Sequence, residues 1–165
     1  MSRVTEHVPD LLTGTEMCLV AEVPGAGDRW QQVHFNKDVA RQFFNLEPGM
    51  DRSITLERIS AAGHVLERTS RQLVMPESNR NSRIEFFFGV DVAYPAPPHR
   101  PLVVVVEAAY LTYRYRTSLP GDVGYDGVQN LLAAGASIGK GLRRRIVTLD
   151  ELEGYWPHAA LRGAL

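Results

Sequence analysis

Cysteine, lysine and long apolar runs are scarce in this sequence, and each scarcity removes a class of protein. A single cysteine, Cys18, among 165 residues excludes an intramolecular disulfide framework and a cysteine-based zinc site. The apolar run Leu102 to Val106 is far below the ~20 residues that a membrane helix needs. The polar start Met1-Ser-Arg-Val-Thr-Glu-His7 has no signal-peptide core, so the expectation is a soluble cytoplasmic domain. No internal repeat and no low-complexity stretch interrupts the chain. A composition 44% hydrophobic and 22% charged suits one globular domain spanning 1–165, large enough to bury a core without a metal or a disulfide.

The net charge of −1 argues mildly against nucleic acid, but its breakdown is informative. Lys37 and Lys140 are the only lysines among 18 basic residues, leaving 16 arginines. The arginine fork suits phosphates and guanine edges, although a GC-rich coding bias would give the same excess.

Short strand-like runs dominate the pattern. Glu16 to Val23 and Asp28 to Phe35 read as a strand, a turn at Pro24-Gly-Ala-Gly27 and a second strand. Asn36 can cap a helix through Phe44 that ends before Pro48-Gly49. Further strands are expected at Ser53 to Ile59, His64 to Glu67, Gln72 to Met75 and Arg83 to Gly89. The run Pro101 to Tyr115 is too long for one straight strand and should bend near Ala108-Ala109-Tyr110. A helix over Asp126 to Ala134, a strand over Arg143 to Thr148, a helical turn over Leu149 to Gly154 and a helix over His158 to Leu165 complete the reading. The fold class is β-rich α+β: an open, pseudobarrel-like sheet with a few short helices.

Catalytic patterns are weak. Gly135-Ala-Ser137-Ile-Gly139 fits GxSxG, and Asp150 and His158 follow in the order of a serine hydrolase. A nucleophile elbow requires a strand entering and a helix leaving, whereas a helical pattern enters here. The same loop lacks the spacing and the hydroxyl residue of a phosphate-binding P-loop. No metal-spaced cluster exists among His7, His34, His64, His99 and His158, and no lysine stands beside clustered carboxylates as nucleases require. The expectation is a binding module with no catalytic residues, metal or cofactor. A small hydrolase built on Ser137, Asp150 and His158 is the alternative.

Several segments carry groups suited to DNA. Arg29, Gln31, Gln32, Asn36 and Lys37 lie before and at the start of the first helix, where amide and guanidinium side chains match base edges and a helix N-terminus favours phosphate. Asn79 and Arg80 sit in a polar loop, and Lys140, Arg143, Arg144 and Arg145 form a basic run suited to phosphate contacts that position without specifying. Tyr94-Pro-Ala-Pro-Pro-His-Arg-Pro101 contains four prolines, which present His99 and Arg100 on a stiffened backbone. Tyr155-Trp-Pro-His-Ala-Ala160 gathers two aromatic rings, a proline ring and two methyl groups, a set that serves equally as core packing or as an apolar receptor.

His99-Arg100 in its proline-rich loop, together with Tyr155 to Ala160, resembles the sulfur-binding domain of McrA-type, modification-dependent restriction endonucleases. The resemblance covers essentially the whole chain. It implies binding of double-stranded DNA in which sulfur replaces one non-bridging phosphate oxygen. His99 and Arg100 would flank the modified linkage, and Trp156 or Tyr155, with Pro157 and Ala160, would line an apolar cavity for sulfur. It further implies an HNH nuclease domain elsewhere in a longer polypeptide, since no HNH motif lies within these residues. The element order also resembles the DNA-binding pseudobarrel of plant transcription factors and EcoRII-type effector domains, which keeps open a plain sequence-specific DNA-binding domain.

Overall fold

The computed structural model of the chain describes residues 16–23, 32–35, 37–74, 82–86, 88, 95, 98–138 and 141–162. In chain order the elements are β1 (Met17–Glu22), β2 (Gln32–Phe35), α1 (Lys37–Gln42), β3 (Asp51–Ile59), β4 (Val65–Val74), β5 (Ser82–Glu85), β6 (Leu102–Ala109), β7 (Thr112–Ser118), α2 (Tyr125–Ala133), β8 (Arg144–Thr148) and α3 (Leu149–Tyr155). Six strands form an open mixed sheet in the order β4-β3-β7-β6-β1-β8, and β2 and β5 form a separate antiparallel pair. Among the described strands of this sheet, only the β3–β7 neighbours run parallel. The result is the β-rich α+β class expected from the sequence.

The apolar runs of β1 and β6 sit side by side, with Leu19 opposite Val105 and Cys18 opposite Val106. Successive side chains of a strand point to opposite faces. Leu19, Ala21, Val103 and Val105 therefore enter one core with Phe35, Phe44 and Phe86, while Cys18, Val20, Leu102, Val104 and Val106 enter a second core against α2 and α3. Coverage of both faces accounts for the runs Cys18 to Ala21 and Leu102 to Val106, apolar at every position rather than at alternate ones. Burial pushes the Cys18 thiol up to about 12, opposed only in part by a backbone hydrogen bond, so it packs as an inert hydrophobe.

β7 alternates instead. Tyr113 and Tyr115 pack edgewise on Phe44 and Phe86 at ring separations of 5.1 and 4.9 Å. Arg114 and Arg116 leave by the opposite face. Arg114 donates to Glu57 on β3 at 3.1 Å and to the carbonyl of Arg162 at 3.2 Å, and Arg68 on β4 donates to the other Glu57 oxygen at 2.8 Å. Arg116 donates to the carbonyls of His158 and Ala159, each at 2.8 Å, and lies 4.5 Å from the centroid of the Trp156 ring. Trp156 is packed face-on against Gly124, the residue that opens α2 with φ of 94°.

Four expectations change. β1 and β2 are not adjacent partners: β1, buried on both faces, takes β6 and β8, and β2 takes β5. The turn residues 24–27 lie outside the described residues. His64 to Glu67 and Gln72 to Met75 belong to one strand, because residues 68–71 continue the ladder with β3. The expected bend near Tyr110 is a full reversal into the β6–β7 hairpin, made by Leu111 at φ of 60°. Residues 158–162 form turns rather than a helix. The carbonyls of His158 and Ala159 are held by Arg116, and Ala160 adopts φ of 60°, which no right-handed helix continues. α3 itself is capped by Thr148, whose hydroxyl accepts from the Glu151 amide at 3.0 Å. Among the described residues no helix is long and apolar enough to cross a membrane.

Two stability predictions result. A methyl group on Gly124 would lie 2.1 Å from the Trp156 ring at a positive φ, whereas one on Gly121, with φ of 95°, would meet nothing within 4 Å. Gly121→Ala should therefore cost about 1–2 kcal/mol in denaturant unfolding, and Gly124→Ala about 1–3 kcal/mol more. Equal losses would show that the indole yields freely.

The second concerns Glu57, whose burial opposes ionisation but is outweighed by Arg68 and Arg114, so its carboxyl is held below the usual range. A group whose folded pKa is depressed contributes stability above its unfolded pKa and loses it as pH falls through the folded value. Glu57→Gln should cost about 1–2 kcal/mol at neutral pH and flatten the fall in stability below about pH 5, read from urea melts across pH. An unchanged acid limb would show that the triad contributes nothing to acid denaturation.

Candidate nucleic-acid interface

The two segments that the sequence singled out meet consecutive residues at the start of α2. Tyr125, the first residue of that helix, is buried, and its hydroxyl donates to the Arg100 carbonyl at 2.7 Å. The same hydroxyl accepts from Gln129 Nε2 at 3.0 Å, one helical turn later. Gln129 Oε1 accepts from Arg143 Nη2, which also donates to Glu22 Oε2 at 3.1 Å. The Arg143 amide donates to Glu22 Oε1 at 2.6 Å. A continuous polar chain thus runs from the Arg100 backbone across α2 to the end of β1. The next residue, Pro101, is buried, and its carbonyl accepts from the Val23 amide at 2.9 Å. The His99 ring, exposed, stands edgewise to Tyr125 at 6.5 Å between centroids.

Fixing the backbone leaves the side chain of Arg100 unspent. Of the arginines whose side chains are described, Arg100 alone makes no hydrogen bond, ion pair or ring contact. It is half-buried. A guanidinium there has five donors and nothing within the described structure to satisfy them.

The second segment adjoins Gly124. Trp156 is only 2% exposed, held between its contact with Gly124 and the Arg116 guanidinium, and its indole N–H has no partner among the described residues. Burial lowers the pKa of Arg116, whose charge is nonetheless engaged by the two carbonyls and the ring. Tyr155, Pro157 and His158 are exposed and Ala160 is half-buried. Tyr155, not Trp156, is the aromatic side chain that solvent reaches.

The basic run after Lys140 is largely consumed by the fold. Arg144 is 5% exposed and donates to the Ile138 carbonyl at 3.3 Å, and burial lowers its pKa. Arg145 donates to the Leu131 carbonyl near the C-terminal end of α2 at 2.6 Å and pairs with Glu151. Arg143 is tied to Glu22 and Gln129 as described. Lys37 begins α1, half-exposed and with contacts of its own. Gln32 is paired through its backbone with Glu85. Arg29, Gln31, Asn36, Asn79, Arg80 and Lys140 lie outside the described residues.

The GxSxG loop serves structure. It leaves a helix, α2, and enters a strand, β8, the reverse of a nucleophile elbow. The Ser137 hydroxyl accepts from the Arg144 amide at 2.9 Å and donates to the Arg144 carbonyl at 3.2 Å, standing in for a ladder partner. Asp150 pairs with Arg162 at 2.9 Å.

Sequence reasoning did not single out Glu22, Arg116, Gly124, Tyr125 or Gln129. The Tyr-Arg-Tyr-Arg alternation of residues 113–116 was the one available signal, marking a strand with an aromatic face and a cationic face.

No family model matches the chain, and no curated protein matches it. Among solved structures it is similar to the N-terminal domain of Helicobacter pylori LlaJI.R1, with a TM-score of 0.54 and 9% identity over 79% of this chain and 97% of that one. The likeness is one of fold.

Proposed function

We propose that this chain is a DNA-binding domain that recognises a phosphorothioate linkage in double-stranded DNA, as the targeting module of a modification-dependent endonuclease whose HNH nuclease domain lies elsewhere in the same cytoplasmic polypeptide. The observation that carries the reading is Arg100: a guanidinium on a clamped backbone, unpaired while its neighbours in composition are spent on the fold. Its fork suits a phosphate bidentately, and a fixed backbone lowers the ordering cost of binding. The resemblance of His99-Arg100 and Tyr155 to Ala160 to the sulfur-binding domain supplies the ligand class.

Sulfur is larger and more polarisable than oxygen, accepts hydrogen bonds less well and is held less tightly by water. A receptor made of the Tyr155 ring, the Pro157 ring and the Ala160 methyl would leave an ordinary phosphate oxygen without replacement for its lost hydration, a penalty of about 1–3 kcal/mol. Arg100 and His99 would meet the phosphate charge whether or not sulfur is present. They supply affinity and the apolar groups supply discrimination. Trp156, buried, would support Tyr155 and Pro157 from below. Arg29, Gln31, Gln32, Asn36 and Lys37, before and at the start of the first helix, would add base and phosphate contacts, and Asn79, Arg80 and Lys140 would extend them.

Gel-shift titration of one duplex with and without a stereodefined phosphorothioate tests the reading. The modified duplex should bind about 5- to 150-fold more tightly. Equal affinity for the two would leave a plain DNA-binding domain, and no affinity for either would remove nucleic acid altogether. Arg100→Ala should weaken both complexes; an unchanged modified complex would place the phosphate elsewhere.

Ala160→Asp should reduce the ratio of modified to unmodified affinity, because a carboxylate beside the sulfur repels the linkage and draws in water. Aspartate tolerates the left-handed backbone at this position better than most residues, so the folded state should survive. Pro157→Ser should narrow the same ratio by offering oxygen a hydrogen bond. Folded variants that keep the parental preference would show that sulfur is received by other residues.

A further inference from the structure

β4 is an edge of the six-stranded sheet, and it is unusually long for one, ten residues against five for β8 at the opposite edge. Exposed edges are ordinarily blunted by proline, charged side chains, bulges or brevity, and of these β4 relies on its charges, Glu67, Arg68 and Arg71, which a partner of complementary charge can satisfy. Val65-Leu-Glu-Arg-Thr-Ser-Arg-Gln-Leu-Val74 has no proline, glycine or lysine, and its one irregularity lies at its start, opposite Arg58 and Ile59.

Two charges on this strand are unspent. Glu67 makes no hydrogen bond or ion pair among the described residues, and it faces Arg58 across the ladder. Arg71 faces the apolar Ile54, donates only to the adjacent Ser70 carbonyl at 3.0 Å, and its Nε is buried without a partner. A half-buried guanidinium left so is costly unless another acceptor arrives.

We infer that β4 pairs with β4 of a second copy of this chain, antiparallel about a two-fold axis through Thr69. In a two-fold antiparallel pair, opposite residues must point to the same face, so their numbers sum to an even value and one residue lies on the axis. Axes at Glu67, Arg68 or Arg71 would set like charges face to face. An axis at Ser70 would put Glu67 opposite Leu73 and Arg71 opposite Thr69. The axis at Thr69 alone places Glu67 opposite Arg71 of the other copy, twice by symmetry, with Arg68 opposite Ser70. Cross-strand pairs of opposite charge favour a register and pairs of like charge disfavour it. The same register gives the half-buried Arg71 guanidinium a carboxylate on its own face of the sheet.

Sedimentation of the 18.4 kDa chain at high micromolar concentration should show a species of twice that mass. Glu67→Arg and Arg71→Glu should each sediment as monomers. An equimolar mixture of the two should recover the dimer, because each Glu67→Arg chain then meets two glutamates and each Arg71→Glu chain two arginines. A monomeric parent overturns the inference. So does a dimer indifferent to both substitutions, or a mixture that stays monomeric while each variant melts like the parent. A second readout fixes the register: on the axis, Cα atoms are about 4.5–5.5 Å apart, within disulfide reach. Thr69→Cys should cross-link under mild oxidation and Ser70→Cys should not; the reverse result would move the axis.

Discussion

Burial of β1 and β6 on both faces is the constraint from which the rest of the architecture descends. The runs Cys18 to Ala21 and Leu102 to Val106, apolar at every position, cannot face water on either side, so each face must be covered by something. One cover is aromatic: α1, β2 and β5 bring Phe35, Phe44 and Phe86 onto Leu19 and Val105. The other is helical: α2 and α3 bring Val128, Leu131, Leu152 and Trp156 onto Val20 and Val104. Because α2 must lie flat on this second face, its first residues come beside the loop that enters β6. That placement sets Tyr125 under the carbonyl of Arg100.

The arginine excess divides into two populations. Most guanidinia close the structure from within, as caps on carbonyls, bridges between strands or a brace over Trp156. Arginine serves these roles better than lysine because one planar fork can satisfy several acceptors at once, as Arg116 and Arg143 do. Such side chains contribute little to the outward potential of a near-neutral chain. Arg100 stands apart because its backbone, not its side chain, carries the structural bond.

Much of the fold was legible in the chain. The apolar run after Pro101, the alternation through Tyr115 and the turn signals around Pro48-Gly49 mark strands and a helix end with little ambiguity. Pairing was not legible. Nothing local to β1 says that its partners lie eighty or more residues away, since the hydrogen bonds of a strand carry no sequence information. The C-terminal segment misleads for a related reason: Pro157 is a good first helical residue, but the carbonyls beyond it are captured by Arg116 from a distant strand. At the site, His99, Arg100 and the Tyr155–Ala160 segment could be picked out by composition. That Arg100 is free while Arg144 is interior depends on which carbonyls come within reach, a property of the assembled tertiary structure.

The parallel β3–β7 pair has a kinetic consequence. Glu57 and Arg114, joined in its ladder, are 57 residues apart, and Glu22 and Arg143, joined beside β1 and β8, are 121 apart. The sheet therefore cannot be assembled by zipping up neighbouring hairpins. Only β3–β4 and β6–β7 are local, and they are separate pieces until a long loop closes between them. Closing that loop costs entropy before any parallel contact repays it, which places the chain among slow folders on the scale of milliseconds to seconds. The two hairpins would form early and wait. β1, set between β6 and β8, contributes side chains to both cores and so ties the hairpin β6–β7 to the C-terminal strand.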